Sequence, residues 1–109
     1  LALGGHSVPL GLHFYRGAAF PEHYRGGAFV ARRGGGSRAE FLGFDVVFVP
    51  FAAGRPAAVP EPFLTGFIAD DVRAEVHGRP VGLAELPDGS LLVADDAGNT
   101  VWRVTYAAP

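Results

Sequence analysis

The sequence predicts an all-β chain, and within that class a β-propeller fragment: about one complete four-stranded blade plus three strands of the next. Three observations carry the prediction. Short apolar runs rich in Val, Phe and Leu alternate with turn signals, and the 109 residues include 16 Gly and 9 Pro. Such dense punctuation between short strands is the pattern of an all-β domain. The strand pattern then starts a second time within the chain, as propeller blades do. The second unit stops after three strands, one short of a blade.

The first strand is read at Pro9-Leu10-Gly11-Leu12-His13-Phe14-Tyr15. A turn-rich link through Pro21 and Gly26-Gly27 leads to Ala28-Phe29-Val30-Ala31, and a glycine-rich loop follows at residues 33–38. Residues 45–51 (DVVFVPF) have the strongest β-branched and aromatic content. A Pro/Gly/Ala stretch at 52–60 separates them from a fourth run at 61–68, where Pro62 argues for an edge strand. The charged residues 70–75 read as a solvated loop or helical turn.

Pro80-Val81-Gly82-Leu83 echoes Pro9-Leu10-Gly11-Leu12 at an offset of 71, and Leu91-Leu92-Val93-Ala94 echoes Ala28-Phe29-Val30-Ala31 at 63. The offsets differ because Pro87-Asp88-Gly89-Ser90 makes a tight turn where the first unit has a long one. Residues 101–106 take the place of the 45–51 strand, and Trp102, Val104 and Tyr106, alternating with Arg103 and Thr105, read as packing between blades. The units run from about 6 to 75 and from 76 to 109. Two blades cannot close a ring, so the reading expects missing neighbours. A self-contained sandwich of about seven strands is the alternative. The chain starts at Leu1 and holds no Met, which points to an internal piece of a longer protein.

Composition excludes several functions. A net charge of −2 gives no electrostatic case for nucleic acid or a polybasic membrane contact. No stretch reaches the roughly 18 apolar residues of a membrane span. With no cysteine there is neither a disulfide framework nor a thiolate metal site. All nine basic residues are Arg, a trait that fits genome composition.

Blade geometry sorts the polar candidates by face. On the face where an innermost strand begins fall His6-Ser7, the loop carrying Arg32, Arg33 and Arg38, His77-Gly78-Arg79, and the turn Asp95-Asp96-Ala97-Gly98-Asn99. Propeller ligands gather at the central channel, so this face is the candidate site. Arg79 precedes the Pro that opens an innermost strand; its planar fork suits a ligand carboxylate, or equally an ion pair with a neighbouring blade. The glycine run beside Arg33 could bring backbone N–H groups to an anion, or be simply solvated. Asp95-Asp96 with Asn99 offers hard oxygens, but a turn cap explains them better. His6 and His77 could bond a ligand or move a proton. No metal-binding spacing, nucleophile motif or phosphate loop is present.

His6-Ser7-Val8-Pro9-Leu10-Gly11-Leu12, Tyr24-Arg25-Gly26-Gly27-Ala28-Phe29-Val30-Ala31, Gly78-Arg79-Pro80-Val81-Gly82-Leu83 and the closing run 88–106 resemble the C-terminal part of the sorbosone dehydrogenase family. These are soluble quinoprotein glucose/sorbosone-type dehydrogenases, six-bladed propellers that bind pyrroloquinoline quinone (PQQ) with calcium. The resemblance implies an oxidoreductase in which a sugar, sugar aldehyde or related alcohol gives a hydride to PQQ and electrons pass to an acceptor. It implies a periplasmic or secreted location, with the remaining blades of the parent chain as partners. The catalytic base is expected in an earlier blade, so no catalytic residue is assigned here. The resemblance assigns the cofactor side to Arg79, Arg33, Ser37 and His6, and no metal ligand. The family's H-G-S-W-N-R loop reads Arg33-Gly34-Gly35-Gly36-Ser37-Arg38 here, without its Trp and Asn. That departure keeps two alternatives open: a non-catalytic propeller that has lost PQQ binding, and, more remotely, a lactonase-like propeller.

Overall fold

The computed structural model describes residues 8–33, 44–65, 68–70, 75, 76, 79–97 and 99–107. His6, Ser37, Arg38 and His77 lie outside the described residues. The architecture is all-β. Four strands, β1 (Val8–Phe14), β2 (Ala28–Arg33), β3 (Asp45–Val49) and β6 (Glu61–Leu64), form one antiparallel sheet in the order β1-β2-β3-β6. Two short hairpins interrupt the chain: β4 (Phe51–Ala52) with β5 (Arg55–Pro56), and β7 (Ile68–Asp70) with β8 (Glu75–Val76). A second sheet runs β11-β10-β9, from β9 (Pro80–Glu85), β10 (Leu91–Asp95) and β11 (Thr100–Val104). A single 3₁₀ turn covers Glu22–Tyr24. Among the described residues no helix is long and apolar enough to cross a membrane.

Three boundaries differ from the sequence reading. The fourth run ends at Leu64, because Pro62 leaves it a short edge strand against β3. The 52–60 stretch holds the β4–β5 hairpin, and the ends of the charged stretch 70–75 pair as β7 and β8. Trp102 stays half-exposed and donates its indole N–H to Asp95, while Val104 packs on the core.

The internal repeat holds residue by residue. Gly11 pairs with Ala31, and Gly82 with Ala94; Leu12 pairs with Val30, and Leu83 with Val93. Continuing outward, Val30 pairs with Val47 and Val93 with Trp102, which adds β3 and β11 at an offset of 55. Both inner strands carry an irregularity at the same place: Leu10 is unpaired between Pro9 and Gly11, and Val81 between Pro80 and Gly82. A bulge kept at equivalent positions marks a shared design rather than a chance likeness.

The sheets stack face to face. Phe29, Ala31, Val46 and Phe48 of the first meet Leu83, Leu91, Val93 and Val104 of the second. Alternation along each strand puts these residues on one face. At the inner edge the backbones come into contact: a Cβ on Gly11 would lie 2.7 Å from the Val81 carbonyl oxygen. Only glycine permits that approach. An aromatic group of Tyr15, Phe20, Tyr24, Phe29, Phe48 and Phe63 closes the far end of the core.

Candidate functional site

The inner strands β1 and β9 begin on one face of the two-sheet unit, beside the connections that leave β2 and β10. Arg79 sits one residue ahead of β9, held extended by the proline that follows it. Its backbone N–H donates to Asp95 Oδ1 at 2.8 Å, and its carbonyl accepts from the Asp96 N–H at 3.1 Å. The guanidinium then grips the Asp96 carboxylate, Nε to Oδ1 at 2.6 Å and Nη2 to Oδ2 at 3.1 Å. The hydrogen bond that Arg79 donates to Asp96, with that carboxylate's charge, raises the Arg79 pKa.

Asp95 is the anchor of this corner. Buried at the end of β10, it also accepts from the Ala97 N–H at 3.1 Å and from the Trp102 indole at 3.2 Å. Those bonds fix the turn that leads through Asn99, whose φ is +51°, into β11. Asp95 thus caps the turn after β10 through backbone N–H groups. Among the described residues no group of three or more His, Asp or Glu is spaced to hold a metal.

Arg32 closes the neighbouring corner. It pairs across the strands with Asp45 and bonds it in fork geometry, Nε to Oδ1 at 2.9 Å and Nη2 to Oδ2 at 2.8 Å. The hydrogen bond that Arg32 donates to Asp45 raises the Arg32 pKa against a smaller effect of burial. This pair staples β2 to β3. Arg33 is the last residue of β2, opposite Val8, so its backbone lies on the same face as Arg79.

On the opposite face a second set of polar groups joins the two repeats. Glu85, at the end of β9, accepts from His13 Nε2 at 2.8 Å and from the Arg16 N–H at 2.9 Å. Burial pushes the Glu85 pKa up, but hydrogen bonds from Arg16, His13 and Gly17 outweigh it and hold the carboxyl below its ordinary value. The buried Tyr15 hydroxyl donates to the Gly89 carbonyl at 2.7 Å and accepts from the Ala19 and Phe20 N–H groups, each at 3.1 Å. The long β1–β2 connection is thus tied to the tight turn of the other sheet. Sequence reasoning missed this clasp. Its signal was Glu85 itself, a carboxylate on the inward phase of the apolar strand P-V-G-L-A-E.

Asp88, Ser90 and Arg103 form a smaller network beside it, in which Ser90 donates to Asp88 through N at 2.9 Å and Oγ at 2.6 Å, and Arg103 pairs with Asp88. The Ser90 hydroxyl, then its N–H, lower the Asp88 pKa.

The chain is similar in sequence to one curated protein. That relative is an uncharacterized protein of Borreliella burgdorferi, 38% identical over 105 residues. The match takes in 95% of this chain and 27% of the relative, so the chain spans about a quarter of the relative's length. No family model matches the chain, and no solved structure matches it.

Proposed function

We propose that the chain forms two neighbouring blades of a β-propeller related to the PQQ-dependent sugar and aldehyde dehydrogenases, and that Arg79 lies at its ligand site. The observation that carries the reading is the paired start of the two inner strands. Both family-like motifs, H-S-V-P-L-G-L and G-R-P-V-G-L, lead into strands with the same bulge and the same register. Arg79 stands at the mouth of the second.

Arg79 fits a cofactor carboxylate. Its partner Asp96 has a side chain 45% exposed, and an ion pair that open to water contributes little. A ligand carboxylate can take the place of Asp96 and receive the same two parallel N–H bonds. When bound, PQQ would accept the hydride of an alcohol or aldehyde carbon. The residues of this chain would hold and orient it: Arg79 by its fork, with Asp95 fixing the backbone from which Arg79 projects. The proton-accepting base belongs to a part of the ring outside these two blades.

Calorimetric titration of PQQ, with calcium, tests the reading. Saturable binding is expected, weakened at least tenfold in Arg79→Ala and strengthened in Asp96→Asn, which leaves the guanidinium unopposed. Binding that ignores both substitutions would sink the assignment of Arg79.

A second reading is a propeller scaffold without the cofactor, binding another ligand or a protein through the same face. Two observations favour it. Asp95 and Asp96 together outweigh the one Arg79 charge, and the sequence at 33–38, R-G-G-G-S-R, has neither an aromatic residue nor an amide side chain for a planar cofactor. No heat from PQQ in a protein that melts cooperatively would select this reading.

A further inference from the structure

Where β1 and β9 end, on the face opposite Arg79, a hollow of about 430 Å³ opens beside the inner edge of the two sheets. Leu12, Phe14, Leu86 and Pro87 give it apolar walls, and His13, Glu85 and Arg16 supply its polar groups. We infer that this hollow binds a small hydroxy acid with an apolar body. The Arg16 guanidinium takes the carboxylate, and His13 Nδ1 accepts from the hydroxyl. The site is separate from Arg79 and does not depend on the cofactor reading above.

The protonation of this cluster follows from its hydrogen bonds. Glu85 Oε1 accepts from His13 Nε2 at 2.8 Å and from the Arg16 N–H at 2.9 Å, and the Gly17 N–H donates to the same carboxyl. Against burial, which pushes the carboxyl up, these bonds hold it ionised, so it can only accept. His13 therefore carries its proton on Nε2, and the neutral ring leaves Nδ1 as an acceptor. Among the described residues Nδ1 has no hydrogen-bond partner, and no buried side-chain nitrogen or oxygen lacks one, so Nδ1 is open to solvent. A carboxylate that fixes the tautomer and orientation of an imidazole readies the other ring nitrogen for a hydroxyl proton.

The groups left over define the ligand. The Glu85 charge is already met by three N–H donors. The exposed Arg16 guanidinium has no ion-pair partner among the described residues. One cationic fork and one acceptor suit a molecule with a carboxylate and an O–H donor. The walls ask for more than a bare anion, since Phe14, Leu86 and Pro87 gain only by covering an apolar group. β1 and β9 are edge strands of their sheets. A further blade stacked on the Leu12 side would therefore narrow the hollow and leave its His13–Glu85 edge open to the channel.

Calorimetric titration of mandelate into the full chain tests the inference, with phenylacetate (no hydroxyl) and mandelamide (no charge) as controls. Mandelate is expected to bind saturably and at least fivefold more tightly than either control. Arg16→Ala should abolish the preference over mandelamide, and His13→Phe the preference over phenylacetate. A further measurement needs no variant: in nitrogen-15 spectra of the parent chain, the His13 Nδ1 resonance should move with mandelate and stay in place with phenylacetate. Absence of mandelate binding would overturn the inference, as would equal affinity for all three compounds or an Nδ1 resonance that ignores mandelate. Binding that Arg79→Ala abolishes would belong to the other face and overturn it too.

Discussion

Two residues set how closely the repeats approach, and each gives a test. Gly11 leaves no room for a side chain, since its missing Cβ would stand 2.7 Å from a backbone oxygen that cannot swing aside. Gly11→Val should cost about 1–3 kcal/mol, the usual range for overpacking, read from urea unfolding. Tyr15 acts by its hydroxyl. Tyr15→Phe keeps the ring among Phe20 and Phe29 but deprives the Gly89 carbonyl of its donor and the Ala19 and Phe20 N–H groups of their acceptor. A loss of about 1–3 kcal/mol follows for such buried groups left unpaired. An unchanged midpoint would show that the clasp does not hold the sheets.

At the scale of elements, β9 does most to join the halves, through Glu85. Its folded carboxyl titrates below the ordinary value. Stability from this source is therefore full above the ordinary carboxylate range and is lost as pH falls through the depressed folded value. Melting temperature measured against pH should drop more steeply in acid for the parent chain than for Glu85→Gln, which has no such proton to gain. Parallel curves would mean that Glu85 contributes nothing to the junction. The strands β1, β2, β3, β9, β10 and β11 were legible in the sequence because period-2 alternation and turn signals agreed there. The β4–β5 hairpin was not. Its turn places Ala53 and Gly54 at φ +52° and +77°, and an Ala at the first such position hides the Asn-Gly or Asp-Gly signature of this turn. The candidate site was half legible. Arg79 stood out from its position before Pro80, but its pairing with Asp96 depends on how the β10–β11 turn folds back, which no spacing reveals. The Glu85 clasp depends on the stacking of residues more than sixty positions apart, so the sequence shows only the lone carboxylate on an apolar strand and not its partners.

The whole molecule is one design used twice and joined at one junction. That view explains why Leu12 and Val101, apolar and exposed, lie on opposite outer faces of the stack, and why Val46 to Val49 are buried on both sides of β3. It also underlies the proposed function, because Arg79 reaches a ligand site only if β1 and β9 run side by side with their starts on the same face. Nuclear Overhauser contacts between the α-protons of Gly11 and the protons of Val81 and Gly82 measure that arrangement directly. The account predicts strong contacts there, together with paired α-proton or amide contacts Gly11–Ala31 and Gly82–Ala94 in the two sheets. A Gly11 that reports neighbours from any other element would contradict it.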